Sequence, residues 1–575
     1  MRTAHQVAKV RAAEQALMAQ LPPGTLMQRA AAGLAAVCAG LAGQLSGTRV
    51  VVLAGSGDNG GDALFAGARL ARRGAAVLAV QAGSRLHGAG AAALRAAGGR
   101  VAAAGDPAVP AAVGSAGLIL DGLLGIGGHG GLREPQATLA GLATRSAAVV
   151  VAVDLPSGVD ADTGAVPGAA VQADVTVTLG TVKPGLLVDP GAGYAGVVEL
   201  IDIGLGRYLA PPDLTALQTA DVAALLSRPP ADSDKYRRGV VGIVAGSQRF
   251  TGAAALAVGG ALRGGAGMVR LVSAEHAVAV VRVLWPEAVI TVTGQDLPAG
   301  EDVPAAGRVQ AWVAGPGMGT DDQARERLAA VLATDLPVLV DADGLTLLAA
   351  DRGLLDRAAP TLLTPHAGEL GRLLRVDPAD VEERRLEHAR RAAAELGATV
   401  LLKGSTTVIA PADGRSAPGG SAARPAHDGD ALPGDAGPAP LFVNSTGTSW
   451  LATAGTGDVL SGLAGALLAQ GLAMGDAAAV AAYLHGLAAR QAARGSGARP
   501  APAVPLPPAC PDPGVTGPGA EAPIAAADVI GALPGAIRSV RGWADPGARG
   551  PGIRLGSAAG AGTLGRHEGS CGSTG

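Results

Sequence analysis

Short apolar runs rich in β-branched residues alternate with alanine-rich stretches along most of this 575-residue chain. A β-branched run of four or five residues favours a buried strand, and an alanine-rich stretch favours a helix. Their alternation predicts parallel sheets with helices packed on both faces. The predicted strands form two series, Val50–Leu53, Val77–Val80, Leu118–Leu120, Val149–Val153, Val175–Leu179 and Val197–Ile201, then Val240–Val244, Val269–Val272, Ala311–Ala314, Val338–Val340, Leu362–Leu363 and Thr399–Leu402.

The two series predict two three-layer αβα domains. We expect the first over residues 1–215 and the second over 216–544, because prolines cluster between the series, within Gly206–Asp234. Three further stretches are rich in Gly, Pro, Ala and Ser and have no apolar period, which is typical of disorder. They predict disordered insertions at about 411–441 and 494–523 and a disordered tail at 545–575.

Composition excludes several classes of partner. The net charge of -3 leaves no basic field for nucleic acid. No run of about 20 apolar residues is free of charges and of Gly or Pro, so we expect no membrane span. The three cysteines, Cys38, Cys510 and Cys571, lack the spacing of metal ligands. We therefore expect a cytoplasmic protein that acts on small molecules.

Lysine and asparagine are rare in this chain. The composition is biased toward Ala, Gly, Arg and Pro, as GC-rich codon usage produces, so a retained lysine or asparagine needs a reason to be where it is. The chain has four lysines and two asparagines, Lys9, Lys183, Lys235, Lys403, Asn59 and Asn444.

The first series opens on RVVVLAGSGDNGGDAL at residues 49–64, which is a strand, a glycine turn and a helix start. Its glycines satisfy the G-x-G-x-x-G pattern of NAD-binding sites. The next strand, however, ends without the acid that would hold the ribose hydroxyls. Asp58 and Asp62 would also repel a pyrophosphate. The turn therefore suits a hydroxyl-bearing ligand or a cation better than the cofactor of an NAD oxidoreductase.

Polar residues follow other strands of the first series. Asp121 and Asp154 each come directly after an apolar strand, and residues 125–131 form a glycine-rich loop whose N–H groups can wrap a phosphate. One such Asp alone would equally well be a helix N-cap. Because the carboxyl ends of parallel strands meet at one edge, these residues should converge with Asn59 and Ser157, which predicts a site.

Together these segments resemble the epimerase domain of the bifunctional NAD(P)H-hydrate repair enzymes, from LMQRAAAGLA at 26–35 to VVELIDIGL at 197–205. The resemblance implies a Rossmann-like fold and a potassium ion bound by Asn59, Asp121 and Ser157. Asp58 stands where that family usually has a second Asn. The implied substrate contacts are Asp58, Asn59, Gly60, Gly61, Asp62, Gly125, Ile126, Gly127, Gly128, His129, Gly130, Gly131 and Asp154.

A hydrated nicotinamide carries a hydroxyl on the carbon beside the ring nitrogen. Interconverting its two epimers requires loss and return at that carbon, helped by a positioned proton carrier. Asp154 is the predicted catalytic residue of the first domain, and Lys183 is the second candidate for the same role.

The second series opens on a similar glycine turn but lacks G-x-x-x-x-G-K-[ST], so it is not a P-loop. Its most informative segment, residues 444–471, places Asp458 among glycines where a loop becomes a helix. Backbone N–H groups there would stabilise phosphate charge, and Asp458 would take the proton of an acceptor hydroxyl. Lys403 lies between an apolar strand and GSTT, which favours a nucleotide role over a solvated strand end. Glu369 can reach a magnesium-bound water.

The motifs KYRRG, AGSQRFTGAA, GPGMG, DADGL, TPHAGE, LKGST, GTGDVLSG and YLHG resemble the ADP-dependent NAD(P)H-hydrate dehydratases of the ribokinase-like superfamily, over about 235–410 and 443–490. The resemblance implies a ribokinase-like fold, with Asp458 as catalytic residue and ADP as co-substrate, although these residues leave ADP and ATP open. The implied contacts are Ala253, Gly317, His366 and Asp458 to the hydrated dinucleotide, and Lys403, Gly404, Ser405, Thr406, Thr407 and Gly457 to the nucleotide.

The sequence thus predicts an enzyme that repairs hydrated NADH and NADPH. One domain would interconvert the R and S hydrates, and the other would dehydrate the S hydrate at the expense of a nucleotide. We expect potassium and magnesium as cofactors and a homo-oligomer as the assembly. The alternative is a ribokinase-like vitamin or sugar kinase fused to a non-catalytic Rossmann-like binding domain, which the polar cluster of the first domain opposes.

Overall fold

The computed structural model describes residues 1–128, 130–226, 228–294, 297–412, 439–495 and 521–543. His129 and most of the segments predicted to be disordered lie outside these residues.

The first sheet has seven parallel strands in the order β4-β3-β2-β5-β6-β7-β8. Its strands are β2 Arg49–Ala54, β3 Ala76–Gln81, β4 Arg100–Ala103, β5 Leu118–Gly122, β6 Val149–Val153, β7 Val175–Leu179 and β8 Val197–Ile201. The helices of this part of the chain are α1 Val7–Met18, α2 Thr25–Ala42, α3 Asp58–Arg72, α4 Gly88–Ala96, α5 Val109–Gly114, α6 Gln136–Thr144 and α7 Gly191–Ala195.

Helices cover both faces of this sheet because its strands are apolar on both sides. Val50 and Val52 of β2 pack in one apolar cluster with residues of α2, α3 and α4. Val51 and Leu53, which point to the opposite face, pack in another cluster with residues of α5 and α6. The first domain therefore has the predicted three-layer arrangement.

The second sheet has eleven strands in the order β1-β9-β18-β17-β16-β15-β14-β13-β10-β11-β12. The pairings from β16 through β15, β14, β13, β10 and β11 to β12 are parallel. The strands are β1 Arg2–Ala4, β9 Leu214–Ala216, β10 Val240–Val244, β11 Met268–Ser273, β12 Val289–Val292, β13 Ala311–Ala314, β14 Val338–Val340, β15 Thr361–Leu363, β16 Thr399–Leu402, β17 Thr407–Ala410 and β18 Leu441–Asn444.

Helices also cover both faces of the second sheet, since Val240 and Val241 of β10 belong to different apolar clusters. The mixed α/β fold class, with two mostly parallel sheets, is confirmed. The helices are α8 Thr219–Leu225, α9 Thr251–Arg263, α10 Glu275–Leu284, α11 Asp302–Ala305, α12 Asp322–Leu332, α13 Asp343–Ala350, α14 Ala367–Leu374, α15 Pro378–Glu383, α16 Arg385–Leu396, α17 Thr456–Ala469, α18 Met474–Arg494 and α19 Ala526–Trp543.

The first strand of the chain belongs to the second sheet. β1 pairs antiparallel with β9, and β9 pairs parallel with β18. Ala4 of β1 also bridges Val182 of the first domain, and the chain then returns to the first domain through α1. The limits 1–215 and 216–544 remain predictions, because β1 and β9 take part in the second sheet.

Helix α2 is long and apolar enough, by length and composition, to cross a membrane, and it is the one such helix in the described part of the chain. One of its faces is buried against the first sheet through Ala31, Leu34 and Cys38. A core helix of this kind meets the same criteria of length and apolarity as a membrane span.

The two central helices of the second domain pack closely at a glycine. A Cβ at Gly462 of α17 would lie 1.9 Å from the carbonyl oxygen of Ala257 in α9. Because that oxygen is backbone, a side chain at position 462 forces the two helices apart.

We therefore expect Gly462→Ala to lower the free energy of unfolding by about 1–3 kcal/mol through overpacking. Gly531→Ala in α19 is the matched control, since no atom lies within 4 Å of its Cβ position. It should stabilise by about 0.5–1 kcal/mol, because Ala favours a helix interior over Gly. Urea unfolding followed by tryptophan fluorescence reports on the second domain, which holds all four tryptophans. Equal effects of the two substitutions would contradict the packing argument.

Candidate functional site

Three adjacent strands of the first sheet, β2, β5 and β6, bring the predicted residues to one edge. Asp121 lies near the end of β5, Asp154 follows β6, and α3 begins at Asp58 after β2. A Cβ at Gly55 would lie 1.9 Å from the carbonyl oxygen of Leu123. The glycine turn therefore allows the backbone after β2 to pack against the loop after β5, which explains its likeness to a dinucleotide fingerprint.

The predicted potassium ligands surround the backbone of Leu124. The N–H of Ser157 donates to one carboxylate oxygen of Asp121 at 2.8 Å, and the Ser157 hydroxyl donates to the other at 2.6 Å. The side-chain amide of Asn59 donates to the Leu124 carbonyl at 2.9 Å, and the Leu124 N–H donates to Ser157 Oγ at 2.9 Å. Burial raises the pKa of Asp121 to about 6, although hydrogen bonds from Ser157 and Leu123 oppose the shift.

Asp154 has a strained backbone and a buried basic partner. Its φ of 68° lies in the left-handed region, which costs about 1–3 kcal/mol for a residue other than glycine. Its carboxylate accepts a hydrogen bond from the Leu179 N–H at 3.0 Å and forms an ion pair with Lys183. The Lys183 side chain is 1% exposed and also donates to the Leu179 carbonyl at 3.0 Å. The strain thus turns the Asp154 carboxylate toward Lys183 and the end of β7.

Further acids surround Asp154, and one of them comes from α1. Burial and the charges of Asp154, Asp58 and Glu14 raise the pKa of Asp62 well above its ordinary value. Burial, and then Asp154, also raises the pKa of Glu14. A Cβ at Gly127 would lie 3.3 Å from the Arg11 guanidinium, so α1 also places a base beside the glycine-rich loop. The first site therefore combines carboxyl groups whose pKa values are raised with a cation beside the predicted phosphate loop.

The second site is built around a partly buried lysine. Lys403 Nζ lies 2.7 Å from Asp341 Oδ1 and 3.8 Å from Glu369 Oε2. The other carboxylate oxygen of Asp341 accepts a hydrogen bond from the Ser461 hydroxyl at 2.6 Å. Burial disfavours the ammonium, but the charges of Asp341 and Glu369 outweigh it and raise the pKa of Lys403. Lys403 therefore stays protonated where a phosphate can reach it.

His366 and Glu369 form a reciprocal cap at the start of α14. His366 Nδ1 accepts the N–H of Gly368 at 3.0 Å, and the Glu369 carboxylate accepts the N–H of His366 at 2.8 Å. The His366 side chain is 57% exposed, whereas Glu369 is 8% exposed and faces Lys403. The cap thus fixes an accessible imidazole and a buried carboxylate at the end of β15.

The first turn of α17 completes the second site. Gly455, with a φ of 89°, precedes the helix, and a Cβ at Gly457 would lie 3.5 Å from Lys403 Nζ. Burial, and then the charge of Asp341, raises the pKa of Asp458 to about 7. The α17 N–H groups, the Lys403 ammonium and a carboxyl that titrates near neutrality therefore share one place, which is the arrangement that phosphoryl transfer needs.

The GPGMG loop lies against the second glycine turn. A Cβ at Gly317 would lie 2.8 Å from the Cβ of Ala253, so these two predicted substrate contacts are adjacent. The Gly319 N–H donates to Asp343, at the start of α13, at 2.9 Å.

Comparisons with known proteins match both halves of the chain. A family model described as NAD(P)H-hydrate dehydratase matches residues 241–438 and 435–504, and one described as YjeF-related protein N-terminus matches residues 23–185. A bifunctional NAD(P)H-hydrate repair enzyme of Mycobacterium leprae is 45% identical over 504 residues, which cover 86% of this chain and 95% of that protein. The chain belongs to this family of bifunctional repair enzymes.

A second relative agrees. A bifunctional NAD(P)H-hydrate repair enzyme of Mycobacterium tuberculosis is 46% identical over 486 residues, covering 83% of this chain and 92% of that protein. A solved structure of an ADP/ATP-dependent NAD(P)H-hydrate dehydratase from Bacillus subtilis is 26% identical and covers 56% of this chain and 97% of its own, with a TM-score of 0.43. The family predicted from the motifs, with an epimerase and a dehydratase domain in one chain, is confirmed.

Within this repair enzyme, the structure brings most of the predicted site residues into two groups. In the epimerase domain Asn59, Asp121 and Ser157 form one polar cluster, with Asp58, Asp62 and Asp154 at the same sheet edge. In the dehydratase domain Lys403 lies beside Glu369 and the start of α17, which carries Gly457 and Asp458. Their roles remain predictions.

Two predicted nucleotide contacts, Thr406 and Thr407, have partners outside the group around Lys403. The Thr406 side chain is fully buried, and its hydroxyl hydrogen-bonds to Asp189 of the epimerase domain. Thr407 begins β17 and pairs with Asn444. Only the backbone of Thr406 is left to contact a nucleotide.

Sequence reasoning missed several residues of this repair enzyme. Asp341 follows the strand Val338–Val340 directly, so the rule that found Asp121 and Asp154 would have found it as well. His485 is buried beside the start of α17, where burial lowers its pKa to about 4, so the ring is neutral. Arg11 and Glu14 gave no signal, since they read as the polar face of an ordinary helix.

Proposed function

We propose that this chain repairs hydrated NADH and NADPH in two steps. The epimerase domain interconverts the R and S hydrates, and the dehydratase domain uses a nucleotide to return the S hydrate to NADH or NADPH. The observation that carries the proposal is the grouping of Lys403, Asp458 and the first turn of α17 in a chain that also retains a polar epimerase site. We further propose that the enzyme is cytoplasmic and homo-oligomeric.

In the epimerase domain, Asp154 is the first candidate for the proton carrier and Lys183 is the second. Their ion pair is buried at the sheet edge, where water is largely excluded and a proton can pass between substrate and carboxylate. Asp62 and Glu14, whose pKa values are raised, can hold protons close by. Arg11, beside the glycine-rich loop, is suited to the phosphates of the dinucleotide.

A potassium ion suits the donor set of the polar cluster. Potassium prefers oxygen ligands, and Asn59, Asp121, Ser157 and the Leu124 carbonyl supply amide, carboxylate, hydroxyl and carbonyl oxygens. Asp121 is fully buried, and no basic side chain in the described ranges forms an ion pair with it. A monovalent cation would offset that charge and hold the two loops in place for the substrate.

In the dehydratase domain, Asp458 accepts the proton of the hydrate hydroxyl as its oxygen takes the phosphoryl group. The α17 N–H groups and Lys403 stabilise the negative charge of the transferred group. The hydroxyl, which is a poor leaving group, thereby becomes a phosphate ester. Elimination of phosphate then restores the dihydronicotinamide. We propose ADP as the donor, which then leaves as AMP.

Magnesium suits this site as an ion carried by the nucleotide. No group of three or more His, Cys, Asp or Glu side chains that could hold a metal occurs within the ranges that the structure describes. Magnesium often takes one or two protein carboxylates together with substrate phosphates and water. Glu369, buried beside Lys403, would be reached through such a water.

The two activities can be tested with an equimolar mixture of hydrated NADH epimers and ADP, followed by the absorbance of NADH. The wild type is expected to restore all of it. Asp154→Asn should restore about half, because the S hydrate alone is consumed. Asp458→Asn should lower dehydration by about 10²–10⁴-fold, as loss of a general base does, while epimer exchange continues.

Release of phosphate is measured in the same reaction. A stable phosphorylated product without restored absorbance would favour the kinase alternative, and no reaction of the wild type would refute the proposal. Unchanged epimer exchange in the Asp154→Asn variant would remove Asp154 from its role and leave Lys183.

Potassium binding has a readout other than activity. Potassium chloride is expected to raise the melting temperature of the wild type by about 2–8 °C relative to choline chloride at the same ionic strength, because a ligand of the folded state stabilises it. Asn59→Ala should abolish this difference. Asp58→Asn is the matched control and should keep it, since Asp58 is not a member of the cluster. An equal potassium effect in the Asn59→Ala variant would contradict the assignment.

The pKa of Asp458, which burial and Asp341 raise to about 7, predicts the pH dependence of dehydration. The proposed base acts when deprotonated, so its active fraction grows as the pH rises. We expect kcat to increase about tenfold per pH unit below pH 7 and to level off above it. Saturating ADP and a parallel measurement of ADP affinity separate catalysis from binding. A rate that stays constant between about pH 5.5 and 7 would contradict the assignment of Asp458 as the base.

A further inference from the structure

One segment of the epimerase domain runs from its own candidate site to the nucleotide loop of the dehydratase domain, which is residues 403–406 between β16 and β17. It starts at Lys183, whose side chain pairs with Asp154, and ends at Asp189. Between them Leu186, Leu187 and Val188 are buried in one apolar cluster with residues of the second sheet such as Val400 and Leu402. The segment is therefore packed between the two domains along its length.

At its far end the segment holds the nucleotide loop by two hydrogen bonds that run in opposite directions. The N–H of Asp189 donates to Thr406 Oγ1 at 3.0 Å, and the Thr406 hydroxyl donates to the Asp189 carboxylate at 3.1 Å. Thr406 is fully buried. Its hydroxyl thus uses its proton and a lone pair on one residue of the other domain.

The dehydratase domain holds the rest of this loop by itself. The Arg385 guanidinium donates to the carbonyl oxygens of Lys403 at 2.9 Å and of Thr406 at 3.2 Å. The N–H of Lys403 donates to the Pro365 carbonyl at 2.8 Å. These contacts fix the backbone at both ends of the loop, and the Thr406 side chain is held from the epimerase domain.

We propose that Asp189 is a positioning residue of the dehydratase nucleotide site. It fixes Thr406, so that the backbone N–H groups of residues 404–406 and the ammonium of Lys403 keep the orientation that binds the nucleotide phosphates. The epimerase domain thereby completes the nucleotide site of its neighbour. This inference rests on the proposed use of a nucleotide at Lys403.

Titration calorimetry of the full-length protein with ADP and magnesium tests the proposal. Asp189→Ala is expected to weaken ADP binding about tenfold, and to raise KM for ADP while kcat for dehydration changes less than twofold. Asp189→Asn should recover most of the affinity, because its amide oxygen still accepts from Thr406. Thr406→Val removes the same hydrogen bonds from the other side, and the double variant should be no weaker than Asp189→Ala alone.

Asp213→Ala is the matched control. Its carboxylate accepts the N–H of Gln6 at 2.9 Å and the Lys9 ammonium at 2.9 Å, which ties β1 and α1 to β9 without contacting the nucleotide loop. ADP affinity should therefore survive in this variant. Equal loss in the Asp213→Ala and Asp189→Ala variants would overturn the proposal in favour of a general loosening of the two domains.

The remaining outcomes separate the inference from the function on which it rests. If the wild type binds ADP and both Asp189→Ala and Thr406→Val bind it equally well, Asp189 positions nothing and the inference is wrong. If the wild type itself binds no ADP, the proposed nucleotide site fails first, and the inference fails with it.

Discussion

Each domain pairs one lysine with one buried aspartate at the carboxyl edge of a parallel sheet, and each candidate site is arranged around that pair. Lys183 meets Asp154 after β6, and Lys403 meets Asp341 after β14. A buried charge that loses its partner costs about 3–5 kcal/mol, so Lys183, which is 1% exposed, cannot easily take another position. The first pair holds the end of β7 against the strained residue that follows β6. The pair of Lys403 and Asp341 ties the nucleotide loop to the middle of the second sheet.

Two of the chain's four lysines form these pairs, and the shape of the lysine side chain accounts for much of the site geometry. Arginine, which is abundant here, brings a broad planar group with five donors, whereas lysine brings a compact point charge. The Lys183 ammonium fits among a carboxylate, a hydroxyl and a backbone carbonyl, and the Lys403 ammonium fits between the carboxylates of Asp341 and Glu369. Elsewhere Arg385 shows what the larger group does, since it spreads its hydrogen bonds over three carbonyls of one loop.

The regular part of the fold could be predicted because burial on both faces makes a strand read as a continuous apolar run. All twelve predicted strands are present in the structure, among them Val149–Val153 and Thr399–Leu402. Two of the missed strands, Arg2–Ala4 and Leu214–Ala216, are three residues long and lie at or near the end of a sheet, where polar residues are tolerated. Their pairing depends on contacts more than 200 residues apart in sequence, which no local pattern contains.

The site residues also divide into those that a local pattern predicts and those that depend on distant contacts. Residues at the ends of predicted strands, such as Asp121, Asp154 and Lys403, could be found because topology brings strand ends together. Glu14 and Arg11 come from a helix outside the alternating pattern, and only the folded chain places them at the epimerase edge. Thr406 could be predicted from its motif as a nucleotide contact, but the hydrogen bonds of its hydroxyl with Asp189 join two domains and no local motif contains them.

The pairing of β1 with β9 also has a consequence for the order in which the molecule can be completed during synthesis. About 210 residues separate the two strands, which at roughly 5–20 residues per second is a delay of about 10–40 s on the ribosome. β18, which lies on the other side of β9, is made later still. β1 is therefore made long before the strands that complete its sheet, and the epimerase domain can finish most of its own packing while β1 is still unpaired.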